Sequence, residues 1–250
     1  VTYHARESGG VNELYCAALA SGLDNSPMYD NIKYAKQQHM MLLNDVGLSS
    51  LYIMDCDYLA KIAKELGKND DATELGKRGA EYKNNLQVLW DDTKGLYYNR
   101  HTDTGVLNPR TSPTNFYPLL ANAATQQQAS RMINEHLLNP EEFGGEWVIP
   151  ATPRNDPAFK DNIYWRGRIW APLNFLVYWG LRNYDLKEAR QSLAEKSKKL
   201  LLKSWKSDGF VFENYNSTNG DGDDTTRSDK FYHWGALLGF IGLVEDGHFV

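Results

Sequence analysis

A helical period that recurs along nearly the whole chain constrains its fold more than any other feature. Leu51, Met54, Tyr58, Leu59, Ile62, Ala63 and Leu66 return at three- and four-residue spacing, and Gly67 stands where that helix must stop. A second helix is expected over residues 72–90, with Leu75, Leu86 and Leu89 on its apolar side. Another is expected near 115–123. The next opens at Thr125, where Thr125 and Gln128 have the spacing of a capping box, and Asn139-Pro140 ends it. Residues 166–184 are apolar almost all round, which predicts a helix buried on most sides. Residues 186–203 are amphipathic, with Asp185 as the N-cap candidate, and a last helix is expected over 231–244. That makes about eight helices. Strand signals are short, at 96–99 and 210–213. Helices joined alternately by short turns and long loops suggest an all-α toroid of helical hairpins. No linker-like segment interrupts the pattern, so one domain over 1–250 is expected.

Composition narrows the functions. A net charge of −5 argues against a general affinity for nucleic acid. No apolar run approaches the roughly 18 residues that span a membrane. Two cysteines, Cys16 and Cys56, make neither a disulfide framework nor a zinc site, and the six histidines never stand at metal-binding spacing. No phosphate-binding loop, dinucleotide fingerprint or serine nucleophile elbow is present, and no cofactor is expected. Carboxylate chemistry remains, among aromatics that make up 12% of the chain. Flat rings with polar edges match the faces and rims of sugars.

Three loops carry the candidates. In SGLDNSP (21–27), Asp24 ends an apolar stretch, as a turn residue or as a proton donor. In GFVFENYNSTNGDGDD (209–224), Glu213 follows apolar Val211 and Phe212, as the partner of a nearby arginine or as a tuned carboxylate. In YWRGRIW (164–170), Trp165 and Trp170 are core or a sugar platform, with Arg166 as a planar hydrogen-bonding clamp. Asp221, Asp223 and Asp224 lack EF-hand spacing and read as a solvated acidic loop rather than a calcium site. Two carboxylates far apart in sequence suit glycoside hydrolysis by general acid and base. Spacing alone does not separate that from sugar binding.

ASGLDNSP, YWRGRIW and FENYNSTNG, in this order, resemble the general-acid loop, the Tyr-Trp-Arg-Gly segment and the Glu-Asn-Tyr base loop of glycoside hydrolase family 63. That family includes processing α-glucosidase I, bacterial α-glucosidases and mannosylglycerate hydrolases, with trehalases as distant relatives. FYHWGALLGF is similar to its closing helix, and NFYPLLANAATQQQA and WVIPATPRNDPAF also look family-like. Met28 and Arg168 depart from it, standing where a basic residue and a proline are common.

The resemblance implies an (α/α)6 toroid and an inverting, exo-acting hydrolase of α-linked gluco- or manno-configured glycosides. Asp24 would be the acid and Glu213 the base, with Trp147, Trp165, Arg166, Trp170, Tyr215 and Trp234 around the sugar. An inverting pair stands about 6.5–9.5 Å apart. Six hairpins need more helices than this chain offers, and residues 1–13 look like a worn version of the stretch before the acid loop. The toroid is therefore expected to be incomplete on its N-terminal side. Another chain or a missing N-terminal segment would complete it. The alternative function is a carbohydrate-binding or assembly module without turnover of its own.

Overall fold

A computed structural model of the protein describes residues 13–249. Helix dominates them, as the apolar period requires. Among the described residues there are seven α-helices: α1 (Glu13–Ala20), α2 (Val46–Glu65), α3 (Asn69–Leu86), α4 (Gln126–Arg131), α5 (Ala171–Leu181), α6 (Lys187–Asp208) and α7 (Leu237–Glu245). A π-helical stretch, Met132–Leu137, continues α4. Strands form three short antiparallel ribbons: Tyr34–Ala35 with Met40–Met41, Leu43–Asn44 with Arg100–His101, and Trp90–Asp91 with Leu96–Tyr97. The stretch 1–13 discussed above lies, except for its last residue, outside the described residues.

α2 forms where the period places it. The buried Asp45 carboxylate accepts from the Leu48 N–H, and Asn99 Oδ1 accepts from the Val46 N–H, so two of the orphan donors of the first turn are satisfied. Val46, Ser50, Ile53, Cys56 and Ala63 are buried on one side. Tyr58, Leu59, Ile62 and Leu66, which helped define the period, are instead exposed by 42–67%. Period identifies a helix, but only packing identifies which face is covered.

Other segments depart from expectation for local reasons. The stretch expected as a helix over 115–123 is a buried 3-10 helix, Pro113–Leu119, because Pro118 inside it has no N–H to give an α-helical bond. At α4 the capping box is formed: Gln128 N–H donates to Thr125 Oγ1 (3.1 Å) and Thr125 N–H to Gln128 Oε1 (2.8 Å). Asp185 does not cap α6. Leu186 occupies the cap position, and Asp185 instead exchanges backbone bonds with the Gln126 amide. The apolar run 166–184 is helical only from Ala171 to Leu181.

α5, α6 and α7 meet at Glu245, whose carboxylate accepts from Tyr178 Oη and Arg190. α5 also packs against the 3-10 helix Pro113–Leu119. A β-carbon on Gly180 would lie 2.8 Å from the Leu120 nitrogen, so only glycine permits this approach. These contacts anchor the segment 162–170, which runs into α5.

Candidate active site

Asp24 sits in the turn after α1. Ser21 Oγ donates to the Ala18 carbonyl and accepts from the Leu23 N–H, closing the helix end. Ser26, not Asp24, accepts from the Met28 N–H and caps the short 3-10 helix Pro27–Tyr29. The Asp24 carboxylate is thus left over from the capping arrangement. Burial raises its pKa, opposed by its own backbone N–H.

Asn25 carries the turn across to the second loop. Its Oδ1 accepts from the Trp165 N–H at 2.9 Å, and its Nδ2 donates to the Ile163 carbonyl at 3.3 Å. Ile163 and Arg166 exchange both backbone hydrogen bonds at 3.0 Å, making a two-residue turn of Tyr164 and Trp165. Tyr164 has φ +56°, a strained value for a bulky residue. Gly167 follows at φ +89°, where a β-carbon would meet the Phe159 carbonyl at 2.3 Å. Ile169 then pairs with Pro150 on one side and Tyr215 on the other. This pairing, with the turn at Gly167, keeps 166–170 out of the helix.

Glu213 lies in the third loop and is 7% exposed. Its N–H donates to the Asp229 carbonyl (2.8 Å), and its own carbonyl accepts from Trp234 Nε1 (3.1 Å). Tyr164 Oη approaches Glu213 Oε1 to 3.5 Å, and Asn214 Nδ2 lies 3.3 Å from Oε2. Burial raises the Glu213 pKa and the Asp229 charge adds to it, against a backbone N–H and the Tyr164 and Asn214 donors. Burial, with the charges of Glu213 and Asp24, pushes the Tyr164 phenol up to about 12, so it stays a donor at neutral pH. Among the described residues neither Asp24 nor Glu213 has an ion-pair partner.

Behind Glu213 stands Arg168, fully buried. It donates to Asn214 Oδ1 and to Asp224 at 2.7 and 3.2 Å. Asp221 is paired with Lys203. The acidic loop is therefore tied to cations rather than simply solvated, and no metal-ligand cluster exists among the described residues.

Asp24 and Glu213 line one cavity of about 370 Å³, with Tyr15, Asn25, Tyr164, Arg227 and Asp229. Asp24 also lines an adjoining cavity of about 290 Å³ that includes Tyr29, Asp30 and Arg166. It stands on the boundary of the two spaces. Such a pair of carboxyl groups, both raised and facing one cavity, can give a proton at one point and take one at another.

The structure brings Asp24, Glu213 and Arg166 to these spaces. Arg166 is held by Asp30 (2.9 Å) and Asp161 (2.6 Å). Trp165 stacks on Trp170 with centroids 3.6 Å apart, and Trp170 meets Trp234 at 5.7 Å. Trp170 and Tyr215 are fully buried. Trp147, also buried, lies against α6, its ring under Lys199, and lines neither cavity. Trp147, Trp165, Trp170 and Tyr215 are buried and Trp234 is half-buried beside Trp170 and Tyr232, so these rings are packed into the fold rather than set out as an open platform. Tyr164, Asn25, Arg227 and Asp229 line the cavity without having been singled out. Tyr164 and Asn25 stand beside named candidates in their motifs, which was the available signal. Nothing local marks Arg227 or Asp229.

A model of the mannosylglycerate hydrolase MGH1-like glycoside hydrolase domain matches residues 3–234. The chain is 29% identical over 241 residues to the cytosolic neutral trehalase of Kluyveromyces lactis, covering 91% of this chain and 30% of that protein. It is 28% identical over 155 residues to the mannosylglycerate hydrolase of Thermus thermophilus, covering 61% of this chain and 34% of that one. The chain thus spans about a third of the length of the curated relatives it matches. Among solved structures it is similar to a GH63 mannosylglycerate hydrolase from Thermus thermophilus in complex with glucose. The TM-score is 0.67 at 25% identity, over 80% of this chain and 45% of that one. Neutral trehalase Nth1 from Saccharomyces cerevisiae shares the fold, with a TM-score of 0.75 at 22% identity over 93% of this chain and 42% of that one. The fold is that of the (α/α)6 toroids, in the helical part described above.

Proposed function

The chain belongs to the mannosylglycerate hydrolase MGH1-like glycoside hydrolase family, and on that premise we propose that it carries the acid–base pair of an inverting, exo-acting glycoside hydrolase. The substrate is an α-linked gluco- or manno-configured glycoside, as the names of the mannosylglycerate hydrolase and trehalase relatives suggest. Glu213 takes a proton from a water whose oxygen attacks the anomeric carbon. The bond from that carbon to the leaving oxygen breaks, and Asp24 gives that oxygen its proton. The released sugar has the opposite anomeric configuration.

One observation carries this reading: Asp24 stands where two cavities meet, and Glu213 faces only one of them. A general acid must reach the oxygen that joins sugar to aglycone, so it belongs between their two sites. A general base must reach only the far face of the sugar. Burial holds the Asp24 proton, as an acid needs. Arg166 supplies hydrogen bonds on the aglycone side. Trp165, Trp170 and Trp234 act as a stacked support behind Tyr164 and Glu213.

The test is product release from α-glucosides, α-mannosides, trehalose and mannosylglycerate, with the first-formed anomer followed by proton NMR. Inverted product is expected. Asp24→Asn and Glu213→Gln should each lower kcat by roughly 10²–10⁴-fold. Turnover that survives either change sinks the assignment. A second reading, a sugar-binding or assembly module, draws on the exposed apolar residues of α2. It predicts heat of sugar binding by calorimetry with no product.

A further inference from the structure

We infer that Asn25 is a positioning residue that sets the placement of Asp24 relative to Glu213, through a clasp on the strained Tyr164 turn. The inference rests on the acid–base reading above. Asp24 and Glu213 belong to loops far apart in sequence, and no hydrogen bond joins them among the described residues. Their separation is set by what lies between. The Asn25 amide grips the 163–166 turn at two points, accepting from the Trp165 N–H and donating to the Ile163 carbonyl. The Trp165 N–H is a donor that the two-residue turn leaves over, and the Ile163 carbonyl, which already accepts from the Arg166 N–H, has a second lone pair to offer. A third bond, from Arg166 Nη1 to the Asn25 carbonyl (3.4 Å), holds the same junction.

The turn in turn reaches Glu213. Tyr164, held at φ +56°, brings its hydroxyl to 3.5 Å from the carboxylate. Strain of this kind persists only where surrounding contacts over-determine it. The Trp165 ring stacked on Trp170 and the bond from Trp170 Nε1 to the Tyr164 carbonyl (2.9 Å) supply the rest of that support. The path from acid to base therefore runs Asp24, Asn25, the 163–166 backbone, Tyr164, Glu213. Asn25 is the first loop's side chain in that connection, and Arg166 reaches back from the second. The Asn25 amide has the two requirements in one group, an acceptor and a donor a fixed distance apart.

Misplacing an acid by about 1 Å can lower turnover about 10²-fold, and the loss falls on steps that need the proton. Glycosides with a sugar or glycerate leaving group need it, whereas the corresponding α-glycosyl fluoride departs largely without it. Asn25→Ala is expected to lower kcat on the glycoside about 10²-fold, with KM little changed, and to spare the fluoride. Asn25→Asp keeps the acceptor for Trp165 but sets a carboxylate against the Ile163 carbonyl, so it should show the same pattern and serves if the alanine variant does not fold. Asp24→Asn should behave alike, and Glu213→Gln should lose both substrates.

Independently, hydrogen exchange of the amides in 163–166 should speed about tenfold in the Asn25 variants, as loss of about 1.4 kcal/mol of local protection requires. If the unaltered chain turns over neither substrate, the hydrolase reading fails, and exchange alone decides the clasp. If Asn25 variants lose glycoside and fluoride alike, or neither, or leave exchange at 163–166 unchanged, the positioning role is overturned.

Discussion

The carboxylates facing the cavity and those just behind it are built in opposite ways. Asp24 and Glu213 have no cation against them among the described residues, and burial raises both. Asp224, close behind the Glu213 loop, is bound by the fully buried Arg168 and by Asn216, and its pKa is lowered: burial opposes this, and those donors overcome it. Glu245 and Glu142 also have partners, one held by Arg190 and Tyr178, the other by His136. A paired carboxylate holds elements together, and at Asp224 the pairing favours the ionised form. An unpaired one destabilises the fold slightly and is left able to give or take a proton. The difference separates residues that hold the site from residues proposed to work in it.

The sharpest way to break this comparison is to remove a counter-charge. Asp224→Asn leaves Arg168 buried without an anion, and a loss of about 3–5 kcal/mol in urea unfolding is expected. Adding Arg168→Met should recover much of it, since replacing both partners avoids the unpaired charge. A double variant no more stable than the single would show that Asp224 acts through something other than Arg168.

The opposite sign is expected at the cavity. Glu213 has a raised pKa in the fold, so its ionised form is penalised at every pH above that value, and the penalty is relieved as pH falls through it. Glu213→Gln should therefore raise Tm at neutral pH while removing turnover. The gain should be small, about 2 °C, because solvent in the cavity screens the charge. A fall in Tm would mean that Glu213 is structural, and the contrast with Asp224 would collapse.

The smallest effect is expected at His136. Its Nδ1 faces Glu142 Oε2 and its Nε2 the Lys94 carbonyl, both at 2.6 Å, so both nitrogens donate only in the charged form. Burial lowers its pKa, but Glu142, that carbonyl and the charge of nearby Glu135 more than offset it, and the net shift is upward. The stabilisation is then full below the unfolded value of about 6.5 and is lost as pH rises through the folded one. Thermal melts between pH 5 and 9 should show an alkaline decline that His136→Gln flattens.

Much of the fold could be read from the chain. α2 with its Gly67 stop and the Thr125–Gln128 capping box follow from periods and caps that act within a few residues. The run 166–184 misled because Ile169 finds partners at Pro150 and Tyr215, which no local pattern displays. The site divides in the same way. Asp24 and Glu213 stood out as carboxylates in apolar and aromatic settings and through the family resemblance. The open aromatic platform did not form: Trp165 stacks on Trp170, and both are buried. Residue type says that a tryptophan offers a flat face, not whether a second ring already covers it.

The sequence by itself determined that this chain would be helical, roughly which stretches the helices would occupy, and which carboxylates could carry chemistry. These depend on residue type and on spacings of three or four. The tertiary structure alone decided that Asp24 would lie at the boundary of two cavities, that Glu213 would go without a cation while Asp224 holds one, and that Asn25 would grip the Tyr164 turn. Each of these is a contact between segments distant in the chain. Its geometry is set by how helices and loops pack around it, and spacing along the chain carries no record of that.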